Sequence, residues 1–322
     1  MGWGIPPRGA RAARGPGTWG GPPGFVPGAL RKRPVSAVRD LSDASGLALW
    51  LVPSTGELAL GDAVVSDPPY ARTLDDLRPV LAEQGVQGAK LAYRVYRDVR
   101  SRGDETVLRE SGLRYDVTVT PPGAVGKELV KTAGHYHTRS PSGPTYPEVY
   151  EVLNGRAAFV LQWVDDPEGS EPEVQEVWVA VCEAGEKIVI PSDCGHASIN
   201  LGEEPLAVAD LVSRDSENYY GSFREARGAA YYLMEDGSTL LGWRLEANPR
   251  YAKLPRPTIL RRSRWEPFLN DGGPVYAHFI KDPRAFTFLS KPAGRERRMF
   301  DLLGLVGGSG TTDGKDKQSS PL

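Results

Sequence analysis

The dipeptide Asn154-Gly155 separates two runs rich in apolar residues, Glu148–Leu153 and Arg156–Trp163. Asn-Gly tolerates the positive φ values that a two-residue turn between antiparallel strands demands. A β-hairpin across 148–163 is therefore expected. The same pattern extends to both sides. Tyr115–Thr120 alternates at period two and ends at the Pro121-Pro122-Gly123 turn, while Val174–Val181, Lys187–Ile190 and Leu206–Val212 are short strand-like runs. Many short strands at regular spacing predict a sandwich or barrel. Leu47–Val52 and Leu91–Val99 read as earlier strands, Ala229–Met234 and Leu240–Leu245 as late ones. Helical spacing is confined to Ala71–Gln84, where Thr73 is placed to cap, and to a charged stretch, helix or loop, that ends at Gly112.

The histidines are concentrated on this β framework. The chain has four, and three of them lie in two short blocks, Thr132-Ala-Gly-His-Tyr-His137 and Pro191-Ser-Asp-Cys-Gly-His-Ala-Ser-Ile-Asn200. His135 and His137 are separated by one residue, so on a strand their imidazoles share a face. Glu148 follows after a Pro/Ser/Gly-rich insert. Neutral imidazole and carboxylate suit Fe²⁺, Mn²⁺, Co²⁺, Ni²⁺ or Zn²⁺, and one such ion per subunit is expected. Four protein ligands on a six-coordinate ion leave positions open, which distinguishes a catalytic metal from a structural one. A lone His-x-His is about as often a pair of ordinary strand residues. Here it is joined by Glu148, by Gly155 after six intervening residues, and by Gly185, Pro191, His196 and Asn200 downstream.

A formal net charge of −2 gives no reason to expect nucleic acid or an anionic membrane as partner. No apolar run approaches the ~20 residues of a membrane span. Cys182 and Cys194 make no disulfide framework, so a cytoplasmic location is the default, and no Cys pair has zinc-knuckle spacing. Residues 1–35 are rich in Gly, Pro and Arg and are expected to be a disordered arm, as is the Gly/Ser/Lys/Asp tail at 306–322. A folded domain is expected over 36–248. Residues 249–305 carry too few apolar residues for their own core, so they should pack on the barrel or on a partner subunit.

The histidine, glutamate and glycine offsets match the two cupin motifs, with Asp193 where the second motif usually has glycine. Thr132-Ala-Gly-His-Tyr-His, Glu148-Val-Tyr, Pro191…His196…Asn200 and Gly202-Glu-Glu-Pro-Leu resemble more closely the cupin-type, archaeal-type glucose-6-phosphate isomerases. Arg39-Asp-Leu-Ser-Asp and Thr118…Pro122-Gly123…Gly126-Lys-Glu extend the resemblance, which covers about residues 36–245. It implies a mainly β fold, a cupin double-stranded β-helix (jelly-roll barrel) with a few flanking helices, in a homodimer. It implies interconversion of glucose 6-phosphate and fructose 6-phosphate through an enediol(ate) or a hydride shift. His135, His137, Glu148 and His196 would hold the metal, Glu148 and Tyr150 would serve catalysis, and Thr118, Thr132, Gly134 and Tyr220 would bind the hexose phosphate. Lys127 and Arg139 are further candidates for the phosphate. Two pocket positions depart from the family pattern, Val212 for a tyrosine and Asn218 for a histidine. Cupins with three histidines and one glutamate also include oxygenases, and others bind sugars without turnover; both alternatives stay open at this point.

Overall fold

The computed structural model describes residues 37–292 except 88–89, 170–172 and 262–271; the expected disordered arm and tail lie outside the described residues. Ten strands build the barrel: β1 (Tyr70–Thr73), β2 (Leu91–Tyr96), β3 (Leu113–Thr120), β4 (Glu148–Asn154), β5 (Arg156–Val164), β6 (Val174–Glu183), β7 (Lys187–Ile190), β8 (Cys194–Asn200), β9 (Leu206–Ser213) and β10 (Thr258–Arg261). They form a six-stranded sheet in the order β7-β4-β9-β3-β2-β1 and a four-stranded sheet in the order β8-β5-β6-β10. Every pairing is antiparallel except that of β10 with β6. From β4 onward the chain passes between the sheets, giving the double-stranded β-helix of a cupin.

Asn154-Gly155 does not close the expected hairpin. β4 pairs with β7 and β9, and β5 pairs with β6 and β8. Gly155 does take a positive φ of +88°, and the Asn154 side chain donates to Pro205 O at 2.7 Å, so the turn carries the chain from one sheet to the other. The expected helix at 71–84 is much shorter. Tyr70–Thr73 is the edge strand, Thr73 and Asp76 form a capping box, and the helix Leu74–Leu77 gives way to a 3₁₀ turn at Arg78–Val80. Pro79, without an N–H, cannot extend the α-helical ladder. The charged stretch before Gly112 is a helix at Glu105–Ser111. The last expected strand lies at Trp243–Ala247, because residues 236–242 make a turn in which Asp236 N donates to Gly242 O and Leu240 is exposed.

Beyond the barrel, the helix Val275–Lys281 and the segment to Ser290 lie on the outer face of the six-stranded sheet. Val275, Tyr276, Phe279, Phe286 and Phe288 join one apolar cluster with Tyr115, Val149 and Leu211. Each fully buried large apolar side chain contributes about 1.5–3 kcal/mol. Polar contacts fix the register of this docking. Val275 N donates to Glu151 Oε2 at 2.9 Å, and Tyr276 Oη accepts from Ser101 N and donates to Asp104.

Candidate metal centre and cleft

Three segments converge inside the barrel. Residues 131–137 run antiparallel to β8, with reciprocal backbone bonds between His135 and His196 at 3.1 and 3.0 Å. Tyr136–His137 pairs on its other side with Asn218–Tyr219. Glycines before two of the histidines make this approach possible. A Cβ on Gly134, whose φ is +75°, would lie 2.4 Å from the Phe223 ring, and one on Gly195 would lie 2.5 Å from Tyr136. Asp193, at the position where the motif has glycine, adopts φ +61°, and its N–H donates to Thr145 Oγ1 at 2.6 Å. Aspartate is one of the few side chains that tolerate this conformation.

His135 Nε2 and His137 Nε2 are 3.3 Å apart. Glu148 Oε2 lies 3.1 Å from His196 Nε2 and 3.7 Å from His137 Nε2. One ring nitrogen from each of the three histidines falls within 4.8 Å of the others. Glu148 Oε2 is buried, and His196 and Asp210 are the groups beside it that hold the carboxylate charge. A buried carboxylate of this kind is costly unless it is paired. His137 Nδ1 faces the Tyr146 carbonyl at 2.7 Å, which places its proton on Nδ1 and frees the Nε2 lone pair.

The electrostatics agree with this donor set. Burial, with the adjacent rings, drives His135 well below the usual histidine range. Burial holds His137 at about 4, against the opposing pull of Glu148. Burial alone would raise the Glu148 pKa, but His137 and His196 outweigh it and hold the carboxyl at about 2. Neutral imidazoles around an ionised carboxylate are the state in which these groups ligate a divalent ion. The residues fit such a metal.

The inner face of the six-stranded sheet completes the wall of a narrow cleft with room for about 50 Å³. Sheet register sets its rows: Glu148, Val212 and Arg114 are opposed on β4, β9 and β3, and two residues along are Tyr150, Asp210 and Asp116. Thr118 faces Val95 of β2. Burial, with Glu148 and Asp116 alongside, pushes Asp210 well above the carboxylate range; burial also raises Asp116, partly offset by Arg114. Of the expected site residues, His135, His137, Glu148, Tyr150, Thr118, Thr132 and Tyr220 line this cleft. His196 sits behind Glu148, and Gly134 lies beneath Phe223. Asn218 lines the cleft and donates to Tyr220 Oη at 3.1 Å, whereas Val212 is buried. Arg139 pairs with Asp166 and exposed Lys127 is likewise outside the lining.

Sequence reasoning missed Tyr70, Tyr93, Arg97, Arg114, Asp116 and Asp210, all of which line the cleft. Period two was the available signal. Once Val95, Thr118 and Tyr150 face inward, their neighbours two residues away must do so as well.

Fold and site together define a cupin barrel enzyme with three histidines and a glutamate gathered in one cleft. The family model described as glucose-6-phosphate isomerase (GPI) matches residues 71–250. The chain belongs to the glucose-6-phosphate isomerase family and with it to the aldose–ketose isomerases. The match starts at 71, so the likeness expected around Arg39 falls outside it. The chain is similar to the glucose-6-phosphate isomerase of Thermococcus gammatolerans, at 30% identity over 45% of this chain and 67% of the relative. That of Pyrococcus furiosus is 29% identical over 45% and 68%. A putative glucose-6-phosphate isomerase 1 of Rhizobium meliloti is 30% identical over 47% and 64%. Among solved structures, an oxalate oxidase aligns at 20% identity and a TM-score of 0.26, covering 34% of this chain and 46% of that one. Vicilin from Corylus avellana aligns at 15% and 0.30, covering 43% and 34%. Overlaps this partial add nothing to the argument.

Proposed function

We propose that this chain interconverts glucose 6-phosphate and fructose 6-phosphate, with one divalent first-row ion held by His135, His137, Glu148 and His196. The observation that carries the proposal is the buried Glu148 carboxylate beside three gathered imidazoles, inside the span that matches the isomerase family. When bound, such an ion supplies Lewis acidity, drawing charge from the sugar carbonyl and the adjacent hydroxyl oxygen. The residues supply the rest. Isomerisation moves a hydrogen between C2 and C1 while the carbonyl moves the other way. In the aldose-to-ketose direction, Glu148 accepts the proton from C2 as that C–H pair forms the C1–C2 double bond and the carbonyl pair moves onto O1; it returns the proton to C1 as the O2 hydroxyl gives up its proton to re-form the carbonyl at C2, the O2 proton ending on O1. A carboxyl held at about 2 is a weak base, because the neighbouring histidines outweigh the burial that would favour its protonated form. Burial, and then Glu148, keep the Tyr150 hydroxyl protonated, so it can donate to a substrate oxygen. Thr118, Thr132 and Tyr220 offer hydroxyls along the same wall to orient the sugar.

The test is an anaerobic coupled assay in which metal-stripped protein receives fructose 6-phosphate and single divalent ions, and glucose 6-phosphate is followed. Ion-dependent turnover that falls at least ~10³-fold in His137→Ala is expected. No turnover with any ion, in protein that calorimetry shows to bind one, would overturn the proposal.

A further inference from the structure

The insert between His137 and Glu148 folds back on itself. Ser140 N donates to Pro144 O at 2.8 Å, Gly143 N to Ser140 O at 3.0 Å and Tyr146 N to Thr138 O at 3.3 Å. Its two legs are fastened to the barrel at different places. On the first leg Thr138 N donates to Glu217 O at 2.9 Å, and Glu217 N returns a bond to Thr138 Oγ1 at 3.1 Å. On the second leg Thr145 N donates to Asp193 Oδ1 at 3.2 Å, and Asp193 N returns a bond to Thr145 Oγ1 at 2.6 Å. Thr145 is buried, and Val164 N donates to Asp193 O at 3.2 Å, which ties this exchange to the end of β5.

The second leg is the one that reaches the metal centre. Tyr146 follows Thr145 directly, and its carbonyl, 2.7 Å from His137 Nδ1, sets the tautomer and the orientation of that ring. Asp193 stands three residues before His196. The exchange therefore joins the segment that presents His196 to the carbonyl that orients His137.

Glycine would suit the Asp193 backbone better, since φ there is +61°. Glycine would also offer the same N–H to Thr145 Oγ1. What it lacks is an acceptor for Thr145 N. The Asp193 charge has a weaker claim to a role. Arg139 Nη1 is 4.0 Å from Asp193 Oδ1, whereas Arg139 Nη2 meets Asp166 at 2.6 Å. The acceptor, rather than the charge, is what aspartate adds at this position.

We propose that Asp193 is a positioning residue: by accepting from Thr145 N it fixes the Tyr146 carbonyl, and through it the His137 ring, in the orientation that ligates the metal ion. This rests on the metal site of the isomerase reading and gives a role to a residue outside the donor set.

The experiment compares wild type, Asp193→Gly and Asp193→Asn as full chains stripped of metal. Glycine fits the backbone and removes the acceptor. Asparagine tolerates positive φ and keeps an Oδ1 acceptor while removing the charge. The readouts are the Kd of Zn²⁺ by chelator competition, the visible d–d spectrum of the Co²⁺-loaded protein and the melting temperature of the metal-free protein. Asp193→Gly should raise the Kd about tenfold and shift the Co²⁺ bands, while Asp193→Asn stays within about twofold of wild type with its spectrum intact. A wild-type Kd and Co²⁺ spectrum in Asp193→Gly would overturn the proposal, because a merely structural exchange moves only the melting temperature. A tenfold loss in Asp193→Asn would overturn it as well, since the charge would then be what matters. Wild type that binds no divalent ion would overturn it together with the metal reading. Wild type that binds ions but isomerises no hexose phosphate would sink only the activity reading, and the Kd values would still decide the role of Asp193.

Discussion

The histidine end and the arginine end of the cleft are built on opposite physical terms. At the histidine end His137, His196 and Glu148 are almost fully buried, and burial keeps the His135 and His137 rings neutral beside the carboxylate. At the arginine end the groups are partly exposed and held by stacking on Tyr70 and Tyr220. Buried ionisable groups are expensive, so they persist where chemistry needs them; stacked half-exposed cations cost little. The comparison assigns the chemistry to the histidine end.

The largest effect should come from Glu148→Gln, which keeps the shape but removes the charge. It should lower kcat by about 10³-fold or more and reduce bound metal. Full kcat in that variant would break the division. Next is Gly134→Ala. The new Cβ would sit 2.4 Å from Phe223 on a backbone with φ +75°, so a loss of about 2–4 kcal/mol in unfolding free energy is expected. Arg97→Ala, at a half-exposed position, should by contrast change stability by no more than about 1 kcal/mol in the same denaturant titration.

The two ends were also unequally legible in the sequence. His135, His137 and Glu148 lie within 14 residues and His196 follows in a second compact motif, so spacing alone gathered them. Arg97 directly follows β2 and Arg114 lies on β3, and each one looks locally like a solvated surface charge. Only the pairing of β3 with β2 brings them to one wall, and single-sequence periodicity does not report strand order. Asn154-Gly155 failed for the same reason: its chemistry specifies a reversal with positive φ, and it is silent on whether the next strand pairs or crosses to the other sheet. Leu240 and Leu241 misled because apolar character was taken for burial, whereas the Asp236–Gly242 turn holds both in solvent.

A control acid lies on the same strand as Glu148. Glu151, on β4, points to the back of the sheet, where it meets Lys187 Nζ at 3.4 Å and accepts from Val275 N. Burial raises its pKa from 4.5 to about 7, with Lys187 and the Val275 N–H only partly opposing, while Glu148 three residues away is held near 2. A folded-state pKa above the unfolded value means that the folded protein binds the proton more tightly. The stability from Glu151 is therefore complete below pH 4.5 and is lost as pH rises through about 7, a change on the order of 2–3 kcal/mol. His137, lowered to about 4, works oppositely: its contribution is present above pH 6.5 and is lost as pH falls through 4. Because the two overlap, the wild-type profile alone separates neither. The difference between wild type and Glu151→Gln does, since the amide keeps an acceptor for Val275 N–H and cannot titrate. The stability of wild type minus that of the variant, measured by urea unfolding, should decrease as pH rises from 4.5 to 7. Parallel profiles would mean that Lys187 keeps Glu151 ionised throughout, and that the back of the strand is held by an ion pair.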